Sequence, residues 1–147
     1  MNDLRTEPAA EAKQSDKTIF SLLHAARTLE DKLEAALATA GLSGPKFSVL
    51  SELVASPTPL SLSDLAARLS CVRSNMTQLV DRLEAEALVQ RVSCPNDRRA
   101  VNAAITDLGR DRQAAGAKAV AQLHEQFAAI VSANDRAALQ RMLSALG

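Results

Sequence analysis

Apolar residues recur at helical spacing along most of the chain. From Asp16 to about Ala40, Ile19, Leu22, Leu23, Ala26, Leu29, Leu33 and Leu37 mark one long helix. Gly41 and Gly44 end it, and Pro45, which suits a first helical turn, opens a second helix that runs to Ala55. Ser56-Pro57-Thr58-Pro59 is a rigid connector. Two short amphipathic stretches follow: Leu62, Leu65, Ala66 and Leu69, then, after a break at Ser70, Val72, Met76, Leu79, Val80 and Leu83. They predict two helices with almost no linker. Between Val89 and Ile105 the period drops to two, with Val89, Val101, Ala103 and Ile105 set among Gln90, Arg91, Asn102 and Ala104. That alternation predicts two half-buried strands around the turn Cys94-Pro95-Asn96-Asp97-Arg98-Arg99. Thr106 is placed to cap a helix from Asp107 to about Val131, and Asn134 to cap a last one from Asp135 to Leu146.

Helix, tight turn, helix and polar-tipped hairpin make a winged helix-turn-helix. With its apolar positions turned inward, the second short helix presents Arg73, Ser74, Asn75, Thr77, Gln78 and Asp81 outward or on its flanks. Apart from Asp81, these side chains carry hydrogen-bonding groups for base edges and phosphates in a major groove. Such residues more often make an ordinary solvated face; the neighbouring wing and the spacing of the turn favour the functional reading. Arg98 and Arg99 beside a Pro turn suit insertion into a minor groove, against the plain alternative of a charged hairpin tip.

Four blocks bear on family: Leu79-Val80-Asp81-Arg82-Leu83-Glu84, Leu88-Val89-Gln90-Arg91, Pro95-Asn96-Asp97-Arg98-Arg99 and Ile105-Thr106-Asp107-Leu108-Gly109. In order and spacing they resemble the MarR family of bacterial transcriptional regulators. The resemblance implies a mostly α fold with a small β-wing, in which long flanking N- and C-terminal helices pair two copies. It also implies that Asp97 and Arg99 form the family's Asp-x-Arg wing motif and that Asp81 pairs with the wing arginine, holding the wing at a fixed angle. A small aromatic or phenolic effector would bind near His24 and Arg27 on the first helix and Lys46 and Phe47 on the second. The sequence departs from the family at Ala87, where Gly is usual on leaving the recognition helix, and at Ala103-Ala104, in a strand that is usually bulkier.

The expected organisation is a flexible tail over residues 1–15 and a single domain over 16–147. A winged lobe spans 45–105, between dimerisation helices at 16–40 and 107–147. A chain of 147 residues suits one domain with a sizeable core. Leu29, Leu33 and Leu37, with Leu123, Phe127, Ile130, Leu139, Met142, Leu143 and Leu146, are more apolar surface than the winged lobe buries by itself. Burial between two copies and burial in a monomeric bundle account for this equally well by composition; the resemblance favours a two-fold dimer on a pseudo-palindrome.

Formal net charge is +0, from 17 basic and 17 acidic residues, which argues against a non-specific nucleic-acid coat. Local placement is different: residues 68–99 hold Arg68, Arg73, Arg82, Arg91, Arg98 and Arg99 against Asp81, Glu84, Glu86 and Asp97, with no Lys. Arginine forks onto guanine edges, so this choice favours recognition over simple attraction.

Cys71 and Cys94 form no zinc pattern, and His24 and His124 stand alone, so no metal or other cofactor is expected. Cys71 reads as a small buried filler and Cys94 as an exposed thiol; thiol-redox sensing is the lesser reading. No apolar run reaches the ~20 residues of a membrane span, and a cytoplasmic location is expected. No nucleophile elbow, phosphate loop or convergent Ser/His/Asp set points to an enzyme. The competing non-enzymatic reading is a winged protein-interaction module, whose recognition helix would be apolar or acidic.

Overall fold

The computed structural model describes residues 8–94 and 97–146, without the side chains of residues 8–16 and 98–100. Helix α1 spans Pro8–Ala38, α2 Gly44–Ala55, α3 Leu62–Arg68, α4 Arg73–Ala85, α5 Asp107–Ile130 and α6 Ala133–Ser144. Strands β1 (Leu60–Ser61), β2 (Val89–Cys94) and β3 (Asp97–Ile105) form one antiparallel sheet in the order β1-β3-β2.

Helix α1 starts at Pro8, not near residue 16, so residues 8–15 of the expected tail are helical; the rest of that tail lies outside the described residues. Proline fits a first turn, and Ala9-Ala10-Glu11-Ala12-Lys13-Gln14 is made of the strongest helix formers. Such a segment needs no apolar face when it extends a helix already nucleated downstream.

Burial is concentrated in the winged lobe. Leu37 of α1, Val49 and Leu50 of α2, Leu65 of α3, Met76, Val80 and Leu83 of α4 and Val89 of β2 are the largest fully buried side chains. Each contributes about 2 kcal/mol by leaving water. Ala103, where a bulkier residue is usual, is also fully buried and pairs with Leu60 on one side and Arg91 on the other. Strand β1 was not expected from the sequence: two residues are too few to show a period of two.

Three helices end in the same way. At α1 the N–H of Gly41 donates to Ala38 and that of Leu42 to Leu37; at α3 Ser70 donates to Ala67 and Cys71 to Ala66; at α4 Ala87 donates to Glu84 and Leu88 to Leu83. This paired reversal needs a left-handed residue, and the three have φ of 69°, 50° and 57°. Ala87 therefore takes the backbone shape that glycine usually supplies, at a cost of about 1 kcal/mol. Leu83 and Leu88, on either side of the turn, are both buried, and that burial offsets part of the cost.

The outer helices are joined to the lobe at few points. Helix α5 packs on α1 and α2, and Arg112 donates to the Ala40 carbonyl at 3.0 Å. Gly116 of α5 lies against Leu42 and Phe47, where a Cβ would stand 2.9 Å from the Phe47 ring. By contrast Phe20, Leu22, Leu23 and Leu29 of α1, Ile130 of α5 and Met142 and Leu143 of α6 remain exposed in the single chain. Within the single chain, α1, α5 and α6 do not bury these residues against one another.

Candidate nucleic-acid interface

Helix α4 carries the face that the sequence predicts. Met76, Val80 and Leu83 point into the core, and Arg73, Ser74, Asn75, Gln78 and Asp81 are exposed. Thr77 is half-buried and its hydroxyl donates to the Arg73 carbonyl at 3.1 Å, so its proton is committed to the helix backbone. Val72, expected among the inward positions, instead occupies the N-cap and is 67% exposed, because the apolar stripe of α4 begins only at Met76.

The start of α4 differs from those of the three helices capped by hydroxyls. Ser61, Thr106 and Ser132 each accept an N–H from the first turn of α3, α5 and α6, and each first turn holds an aspartate. The α6 cap is thus Ser132, not Asn134, because Ser132 also donates to the Asp135 carboxylate at 2.6 Å and so completes a two-way cap. Val72 cannot cap, and the first turn of α4 holds no acid. Its N–H groups and positive dipole end therefore lie beside Arg73, Ser74 and Asn75, in an arrangement suited to an anion such as a backbone phosphate.

The wing stands against the far end of α4. Strand β2 pairs with β3 from Val89–Ile105 to Cys94–Asp97, with an irregularity between Ser93 and Cys94. Arg91 of β2 donates through Nη2 to the Asp81 carboxylate at 2.5 Å and through Nη1 to Glu84. Its backbone N–H also reaches Glu84, at 3.2 Å. The hydrogen bond to Asp81, chiefly, holds the Arg91 guanidinium above its already high range, so it stays charged at any pH the fold survives. Asp81 thus pairs with Arg91; the pairing with Arg99 that the resemblance implies falls outside the described residues. The Arg98 and Arg99 side chains lie outside the described residues, and Asp97 is exposed on β3. No local sequence rule joins Arg91 to carboxylates seven and ten residues earlier.

Other contacts fix the base of α4. Lys46 binds Glu86 at 2.5 Å, and the Thr106 hydroxyl donates to the Ala87 carbonyl at 2.7 Å while accepting the Gly109 N–H at 3.0 Å. Arg68, counted among the local basic residues, is paired with Glu52 at 3.2 Å.

The four residues expected around an effector do not converge in one chain. Phe47 packs under Gly116, and Lys46 turns to Glu86. His24 and Arg27 lie on exposed turns of α1. Glu34 accepts the Gly44 N–H at 2.8 Å, which places the start of α2 beside Glu34; His24 is ten residues earlier, about 15 Å up the helix. Between α1 and α5 runs a mostly apolar cavity of about 390 Å³, lined by residues including Leu29, Leu33, Leu123 and Phe127 together with Glu30 and His124.

Both cysteines are free thiols and half-buried, so Cys94 is less exposed than expected and Cys71 less buried. Among the described residues no cluster of metal-binding side chains occurs, and no helix is long and apolar enough to cross a membrane.

These elements define a winged helix-turn-helix protein with long flanking helices. Residues 40–100 match the model of the MarR family. The curated HTH-type transcriptional regulator YkoM of Bacillus subtilis (strain 168) is 35% identical over 71 residues, 48% of this chain and 46% of YkoM, so the match spans about half the length of that relative. Among solved structures, the transcriptional repressor CouR bound to a 23-mer DNA duplex is 28% identical, with a TM-score of 0.79 over 99% of both chains. CouR from Rhodococcus jostii RHA1 bound to p-coumaroyl-CoA is 25% identical, with a TM-score of 0.73 over 90% of this chain and 92% of that one. Sco3205 of Streptomyces coelicolor, a MarR family transcriptional regulator in complex with DNA, is 26% identical, with a TM-score of 0.79 over 99% of this chain and 91% of that one. Residues 40–100 thus match the MarR family, and the chain as a whole is similar in fold to MarR family transcriptional regulators of known structure.

Proposed function

We propose that this chain is a sequence-specific reader of double-stranded DNA that acts in the cytoplasm as a homodimeric, ligand-responsive repressor on a pseudo-palindromic operator. One observation carries the reading: α4 exposes Arg73, Ser74, Asn75 and Gln78 beside an N-terminus without a side-chain cap. Arg73 and Gln78 have the reach for base edges. Ser74, Asn75 and the free N–H groups serve phosphates, and Arg98 and Arg99 at the wing tip serve the minor groove.

The exposed apolar residues of α1, α5 and α6 support pairing of two chains, which would set two α4 helices about one duplex turn, ~34 Å, apart. The DNA complexes of CouR and Sco3205 support the same reading by analogy. The complex of CouR with p-coumaroyl-CoA supports a small aromatic effector, for which the apolar cavity between α1 and α5 is a suitable place in this chain. An effector that favours one spacing of the two winged lobes over the other changes operator affinity by its difference in affinity for the two. The protein-interaction reading is disfavoured because exposed apolar residues concentrate on α1, α5 and α6, while the α4 face is polar.

The test is a gel-shift titration on the promoter fragment upstream of the chain's own gene. Tight binding that falls steeply between about 50 and about 200 mM salt, and that outlasts excess random DNA, is expected. Binding no tighter than to random DNA contradicts the proposal.

A further inference from the structure

We infer that Arg91 on the wing's stem is the partner through which Asp81 fixes the wing's angle to α4. The inference rests on the proposed reading of α4 and the wing as one DNA surface. Strand β2 is an edge strand, so the outward N–H of Arg91 has no strand to pair with. Glu84 accepts that N–H and also the guanidinium, and Asp81 accepts the other branch of the fork. Three hydrogen bonds thus join the last turns of the recognition helix to a single residue of the wing.

The joint lies where it has leverage. From Arg91, β2 runs three more residues to Cys94, about 10 Å at strand rise, and a 10° slip at the stem moves the far end by nearly 2 Å. A contact at a base edge does not survive a shift of that size. The joint also removes an obstacle. Asp81 is exposed one turn beyond Thr77 and Gln78, where an unpaired carboxylate would repel phosphates. Arg91 is therefore a positioning residue, and Asp81 acts on the duplex only through it.

Two double-mutant cycles on operator affinity discriminate the two partners. Arg91→Ala and Asp81→Ala are each expected to weaken binding about tenfold, and the double variant no further, as for groups that act as a unit. Arg99→Ala combined with Asp81→Ala is expected to multiply the separate losses. Arg91→Lys, which keeps the charge but not the fork, recovers part of the loss. Multiplying losses in the Arg91 cycle, or a coupled Arg99 cycle, overturns the inference. A second readout needs no DNA: the Arg91 amide is expected to be protected from hydrogen exchange in the free protein and to lose protection in Glu84→Ala. An unprotected Arg91 amide in the unaltered protein overturns the joint. A failure to bind any DNA overturns the proposed function, while the exchange measurement still reports on the joint.

Discussion

Replacing Val72 by aspartate is expected to raise the stability of the fold and lower DNA affinity at the same time. Val72 holds φ −68° and ψ 136° at the N-cap of α4, close to the φ −68° and ψ 153° of Ser61, which does cap α3. An aspartate therefore fits without backbone change. A side-chain cap in place of valine stabilises by about 1 kcal/mol, and a carboxylate at the positive end of the helix adds about 0.5 kcal/mol. Against this stands the lost burial of a side chain that is 67% exposed, about a third of the ~1.5 kcal/mol for a fully buried valine. The net gain is about 1 kcal/mol, or about 3 °C in Tm for a domain of this size. Thermal unfolding at fixed protein concentration checks it.

The same carboxylate occupies the place proposed for a DNA phosphate. Repulsion between unit charges about 4 Å apart costs about 1 kcal/mol even at the dielectric of water, so operator affinity should fall at least fivefold per half-site. Val72→Ser is the control: it caps without charge, gains about 0.5 kcal/mol by the same arithmetic and, since it takes up one backbone N–H but adds no charge, should lower affinity less than Asp does. Equal effects of Asp and Ser on DNA binding, or a loss of stability with Asp, would refute the reasoning.

Three further outcomes are expected. Ala87→Gly relieves a left-handed alanine at an exposed site, and after the entropy of the added glycine is deducted it should gain about 0.5 kcal/mol in denaturant unfolding, with operator affinity unchanged. Gly109→Ala would place a Cβ 2.1 Å from the Leu88 carbonyl oxygen and 2.8 Å from Ile105, so α5 must shift off the end of α4; a loss of about 3 kcal/mol, seen as a lower urea midpoint, is expected. Phe20→Glu with Leu23→Glu puts charge on exposed apolar turns of α1, and sedimentation should then show single chains that no longer bind the operator.

The winged lobe was legible because its signals are local: the stripes of α3 and α4, the alternation in β2 and β3, and the Thr106 cap all act within a few residues. What escaped depends on partners distant in sequence or on competition between rules. Residues 8–15 carry no apolar stripe, yet helix propensity and Pro8 extend α1 through them. Val72 has the period of an inward residue, but the preceding reversal at Ser70 leaves it at the helix boundary. Arg91 looked like any outward strand residue; its role depends on α4 folding back over β2, which only the tertiary structure shows. Lys46 and Phe47, adjacent in sequence, diverge because successive helical residues point about 100° apart, one toward Glu86 and the other under Gly116.

The most direct test of the account is selection of bound duplexes from a random DNA pool by the full chain. It predicts enrichment of an inverted repeat whose half-sites are centred about one helical turn apart, and loss of that enrichment when Arg73 and Gln78 are both replaced by Ala. Enrichment of nothing above the starting pool, or of the same sequence by the doubly substituted chain, would contradict it.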